Sequence, residues 1–125
     1  MYDNPQRDTY VLPAQNFVSG KTLRIKAPKG KRGRVVDMQV SATTTFTAVT
    51  TPAYLQAGLS SDADKFGNMN MGTLAAGSAK SATDTAGELT GVEIEKGETL
   101  EISQVAPTGG SPAGVGDIHV AVEWF

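Results

Sequence analysis

The 125-residue chain reads as an all-β, single-domain β-sandwich, and three observations carry that reading. The run from Asp117 to Phe125 alternates with period two and sets Ile118, Val120, Val122 and Trp124 on one face, as a paired, half-buried strand requires. The same alternation recurs in Leu23-Arg24-Ile25-Lys26, in Val36-Asp37-Met38-Gln39-Val40 and in Leu100-Glu101-Ile102-Ser103. Between these runs no apolar stripe follows helical spacing, and Gly and Pro break the chain at short intervals. The length suits one hydrophobic core, since domains commonly run to roughly 100–150 residues.

Taken in order, residues 1–16 are polar, carry Pro5 and Pro13, and are expected to form an extended arm, leaving residues 17–125 for the sandwich. A first strand is expected over Thr22–Lys26, stopped by Pro28 and a Lys/Gly turn. A second and longest one runs from Gly33 to Thr47, whose tail Thr43-Thr44-Thr45-Phe46-Thr47 is β-branched and aromatic. Shorter strands follow at Tyr54–Leu59, Met69–Leu74, Leu89–Ile94, Thr99–Ser103 and Asp117–Phe125. Two stretches read as loops, the low-complexity Ala75–Gly87 and the Gly/Pro-rich Ala106–Gly116.

One internal echo narrows the architecture. Gly20-Lys21-Thr22-Leu23-Arg24-Ile25-Lys26 is similar to Gly97-Glu98-Thr99-Leu100-Glu101-Ile102-Ser103, and each is followed by a Pro/Gly loop and an Asp-led strand beginning at Asp37 or Asp117. Two Greek-key halves with related strand pairs fit a jelly roll. At matching positions Lys21 and Arg24 are replaced by Glu98 and Glu101, which gives the halves opposite charge.

The formal net charge is −2, but it is unevenly spread. From Thr9 to Val36 the chain holds Lys21, Arg24, Lys26, Lys29, Lys31, Arg32 and Arg34 and no acid, while all 13 acidic residues lie elsewhere. This asymmetry suits either a solvated basic loop or a guided interface, including one between copies of the chain. Nucleic acid is not the expected partner, because the run Lys29-Gly30-Lys31-Arg32-Gly33-Arg34 lacks aromatics for base stacking and the pI is about 5.3.

Tests for chemistry fail. Cysteine is absent, which excludes disulfides, thiolate metal sites and thiol catalysis. Gly20-Lys21-Thr22 has Gln15 where a phosphate-binding loop needs its first Gly, and a strand rather than a helix follows. His119, the single histidine, reads as an ordinary strand residue on the face opposite Ile118 and Val120. Asp62-Ala63-Asp64 resembles the start of a calcium loop without its later Glu, so a surface turn is expected. Glu93 and Glu95 read as a solvated strand end, and Met69 and Met71 as core. No enzyme activity, metal or cofactor is expected. With no apolar run near membrane-spanning length and no basic, apolar leader in Met1–Gln6, a soluble protein made in the cytosol is expected.

The succession of a polar arm, the Gly-Lys-Thr-Leu-Arg-Ile strand, a long Val/Thr-rich strand, a Gly/Ala/Ser-rich middle, Val92-Glu93-Ile94-Glu95-Lys96-Gly97-Glu98-Thr99-Leu100-Glu101-Ile102 and a Val-rich final strand resembles the small jelly-roll cement or decoration proteins of tailed bacteriophage capsids. The Ile-Xaa-Lys-Gly-Glu-Thr-Leu segment also occurs in fibre heads and cupins, although the paired metal-binding histidines of cupins are missing here. The resemblance implies a dimeric or trimeric protein on the outer surface of the virion, bound to the major capsid protein. Its candidate contacts are Tyr2 and Tyr10 on the arm and Lys29, Lys31, Arg32 and Arg34 on the basic turn. The rival on the same scaffold is a carbohydrate- or receptor-binding module of a virion fibre or spike. That role needs exposed aromatics, of which Tyr2, Tyr10, Tyr54, Phe66 and Trp124 are available.

Overall fold

The computed structural model describes residues 6–48 and 50–125. Eight strands follow in chain order: β1 (Gln6–Asn16), β2 (Thr22–Lys26), β3 (Gly33–Thr47), β4 (Tyr54–Leu59), β5 (Asp62–Asn70), β6 (Ala79–Ser81), β7 (Thr99–Val105) and β8 (Ala113–Trp124). Two 3₁₀ turns, Phe17–Ser19 and Ala82–Asp84, complete the regular structure. The strands pair antiparallel as β1 with β8, β2 with β7, β3 with β6 and β4 with β5, the ladder of one long hairpin. Rolling that hairpin adds the contacts of β8 with β3 and of β7 with β4. Two four-stranded sheets result, ordered β1-β8-β3-β6 and β2-β7-β4-β5, which is the strand order of a jelly roll.

Period-two burial explains why the strands sit as they do. Ile118, Val120, Val122 and Trp124 of β8 are fully buried and meet Leu100 and Ile102 of β7, Leu55 of β4 and Met38 and Val40 of β3 in one core. Phe17 packs edge-on against Phe46, with ring centroids 5.0 Å apart. Met69 and Met71 are core residues, as their flanking pattern suggests. The two Gly-Xaa-Thr-Leu strands are direct neighbours, Leu23 opposite Ile102 and Arg24 opposite Glu101, and their sequels β3 and β8 are neighbours in the other sheet. Opposite charge at matching positions therefore becomes a cross-strand pair, Arg24 Nε to Glu101 Oε2 at 3.3 Å.

Three expectations are corrected. The arm expected over residues 1–16 is, from Gln6 onward, an edge strand of the sandwich, paired from Gln6 opposite Trp124 to Asn16 opposite Val115 with one shift of register between Leu12 and Gln15. Its alternation is masked by polar composition, yet Asp8, Tyr10 and Leu12 are half-buried while Arg7, Thr9 and Val11 face out. The turn expected at Asp62–Asn68 is instead β5, because β4 reverses over Ser60 and Ser61 with Leu59 opposite Asp62. That close reversal passes Gly58, where a Cβ would lie 2.2 Å from the Asp62 carbonyl oxygen. Leu89–Ile94 forms two isolated bridges rather than a strand, Leu89 to Gly67 and Ile94 to Gly33.

The loops also hold more structure than composition suggests. Within Ala75–Gly87 lie β6 and a 3₁₀ turn capped by Ser81, whose backbone N–H donates to Asp84 Oδ2 at 3.0 Å. The segment pairs with β3 in one sheet, and Glu88, the next residue, accepts from Asn68 N–H of β5 in the other at 2.8 Å. It closes one side of the sandwich. The loop after β7 is shorter than expected, since β8 begins at Ala113.

Candidate partner-binding surface

The basic turn joins β2 to β3 at one end of the sandwich. Its base is held by backbone bonds, Ala27 N–H to the Glu98 carbonyl (3.1 Å) and a reciprocal pair between Arg32 and Phe125 (2.9 and 2.8 Å). Gly30 and Gly97, at φ +75° and +83°, make the left-handed corners of this turn and of the acidic turn beside it. The second turn is closed by its own side chain, Glu95 N–H donating to Glu98 Oε1 at 2.8 Å.

The four expected contact residues of the turn divide into two classes. Arg32 and Arg34 are alternate residues on an extended segment, so both guanidinium groups project to one side. Both reach Glu93, at 3.1 and 3.4 Å, and both lie over the Phe125 ring, at 5.5 and 5.9 Å from its centroid. They remain 45% and 44% exposed, so each pair contributes well under about 1 kcal/mol, yet the carboxylate neutralises much of their reach toward a partner. Lys29 is exposed and Lys31 half-buried, and among the described residues neither has an acidic partner within 4.0 Å. Next to them an open cleft of about 570 Å³ is lined by Lys26, Ala27, Lys29, Gly30 and Gly97. One carboxylate offsets one of the two guanidinium charges, and the lysines add to the positive charge that remains at this end.

The tyrosines do not join this site. Tyr10 is half-buried in β1, and its phenol oxygen accepts a 3.3 Å hydrogen bond from the Trp124 indole, a fixed internal role. Tyr2 lies outside the described residues. Of the other aromatics suited to stacking on a sugar, Trp124 and Phe66 are buried, and Tyr54 is half-buried on the outward side of β4. His119 stands between Val11 and Gln39 in the register, with Nδ1 buried and without a hydrogen-bond partner. Among the described residues no three His, Asp or Glu side chains converge as a metal site would require.

Three features escaped the sequence. Lys26 and Gly97 line the cleft although 71 residues separate them, a proximity set by the pairing of β2 with β7. The spacing of Arg32 and Arg34 signals a shared side, but nothing signals Phe125 beneath them. A buried polar clasp was also hidden: Glu88, 8% exposed, accepts from Asn70 N–H at 3.0 Å and from Lys80 Nζ at 3.3 Å, while Lys80 also donates to the Asn70 carbonyl. Comparison with protein-family models, with curated proteins and with solved structures finds no match for this chain.

Proposed function

We propose that this chain is a non-enzymatic capsid cement or decoration protein of a tailed bacteriophage, binding the outer surface of the major capsid lattice as an oligomer. The observation that carries the reading is the jelly-roll strand order combined with free lysines, Lys29 and Lys31, standing at one end of the sandwich beside Arg32 and Arg34, which share Glu93. Such an end suits an acidic protein surface, and rim charge of this kind steers encounter and sets register. The mechanism is avidity. A small contact per subunit, repeated through an oligomer that touches several capsid subunits, becomes a stable bridge through effective concentration. Because the bridge forms on the assembled lattice and not on the isolated subunit, binding stabilises the shell by linkage.

The test is co-sedimentation of the purified protein with assembled shells lacking it, at low and high salt. The wild type is expected to pellet, and Lys31→Glu, a reversal outside the cleft lining, to lose at least ten-fold in shell affinity with an unchanged melting curve. Equal occupancy of the two proteins removes the basic turn from the interface. Failure of the wild type to pellet removes the cement role itself, and retention on a glycan array then moves the function to a binding tip.

A further inference from the structure

The same sheet that carries the lysine cleft carries an acidic protrusion on its other edge. Residues Ser60–Asp64 at the β4–β5 reversal are all exposed, and Asp62 and Asp64 have no cationic partner within 4.0 Å among the described residues. The nearby Lys65 is turned to the Phe66 ring, with its ammonium 5.8 Å from the centroid. In the sheet order β2-β7-β4-β5 the cleft lies at the β2 edge and the protrusion at the β5 edge, three strand spacings or roughly 14 Å apart.

Register puts the two features at one level along the strands. Lys26 is opposite Thr99 and Glu101 is opposite Gly58, so Leu59, with Asp62 opposite it, stands level with Leu100 and Ile25, one residue from Lys26. An acidic knob and a basic socket at equal height on opposite edges of one sheet are what a head-to-tail contact between identical copies needs. Charge supports the same occupant. The socket offers two ammonium groups over a floor of Ala27 and bare glycine backbone, and the knob offers two carboxylates flanking a small apolar residue, Ala63.

We infer that the cleft formed by Lys26, Lys29, Gly30 and Gly97 receives the Asp62-Ala63-Asp64 protrusion of a second copy, joining subunits head to tail. Such a contact is heterologous, so it closes into a ring when the rotation between copies permits. It deepens the proposed function by naming a subunit contact, and it is measured without any shell, so its failure and that of the cement role are read separately.

The experiment is sedimentation velocity with light scattering on four full-length proteins: wild type, socket-reversed Lys26→Glu/Lys29→Glu, knob-reversed Asp62→Lys/Asp64→Lys, and the quadruple variant carrying both reversals. The wild type is expected to form a discrete oligomer that weakens as salt rises. Each reversal alone is expected to give monomer, and the quadruple variant to regain the wild-type mass. Mixing the two singly reversed proteins is expected to restore association, since each then offers the other an opposite surface. All substitutions are at exposed positions, and thermal melts verify that every variant is folded. A wild type that stays monomeric, singly reversed variants that keep the oligomer, or a folded quadruple variant that stays monomeric each overturns the contact.

Discussion

Gly33→Ala is the sharpest probe of how the core closes. Gly33 opens β3 opposite Trp124 of β8, and a Cβ there would lie 2.4 and 2.5 Å from the Trp124 ring carbons Cε3 and Cζ3. Both atoms belong to the six-membered ring of the indole, and Trp124 is fully buried, so the ring has little room to yield. Overpacking of this kind costs about 1–3 kcal/mol. For a domain of this size each kcal/mol lowers Tm by about 4 °C, so the expected fall is about 4–12 °C. Trp124→Phe removes the offending part of the ring while giving up the indole hydrogen bond to Tyr10, at a cost of about 1–3 kcal/mol. In the double variant the alanine methyl occupies the space the indole has left, and the two costs fall short of additivity by about 1–2 kcal/mol. Urea melts followed by far-UV circular dichroism measure all three, since Trp124 is the single tryptophan and its fluorescence is lost on substitution. Additive costs, with coupling under about 0.3 kcal/mol, would refute the claim that ring and missing side chain compete for one space.

Three further outcomes follow from the polar contacts. Glu88→Ala leaves the Lys80 ammonium and the Asn70 N–H without their buried acceptor and is expected to cost about 3 kcal/mol in urea melts, whereas Glu88→Leu/Lys80→Met recovers only the part due to the unpaired ammonium, the Asn70 backbone groups staying unpartnered. Tyr10→Phe strips the Trp124 indole of its acceptor and is expected to cost about 1 kcal/mol, with a shifted Trp124 emission maximum as the second readout. Glu93→Gln breaks two exposed ion pairs and is expected to change stability by less than about 1 kcal/mol, but to raise the rate of association with a polyanionic surface by freeing Arg32 and Arg34.

Three strands were legible in full: Thr22–Lys26, Gly33–Thr47 and Tyr54–Leu59 have the bounds their residues suggest. Where alternation is carried by polar residues it was not, and β1 is the clear case, because Asp8 and Tyr10 bury only part of their side chains while Val11 faces solvent. In β5 the start was misplaced for a different reason. Asp62 and Asp64 have turn chemistry, but the register with β4 is set by Gly58, which tolerates the close backbone that a tight reversal demands. At the candidate site the basic character of the turn could be read, whereas the division between paired arginines and free lysines could not. It depends on Glu93 and Phe125 arriving from distant parts of the chain, and one sequence holds no record of that pairing.

The central place of β8 between β1 and β3 governs when this protein can fold during its synthesis. β1 has no other strand partner, so Gln6 and its neighbours wait for residues near Trp124, more than a hundred positions downstream, before any of their backbone bonds can form. Most of the nascent chain therefore leaves the ribosome with β1 and much of β3 unpaired and their apolar faces uncovered. Such long-range pairing carries a high loop-closure cost and puts the fold among the slower ones, on the order of milliseconds to seconds. A chain folding under these terms depends on its last strand to cover its apolar faces, and a message or protease that removes β8 is expected to yield an aggregating chain rather than a smaller working one.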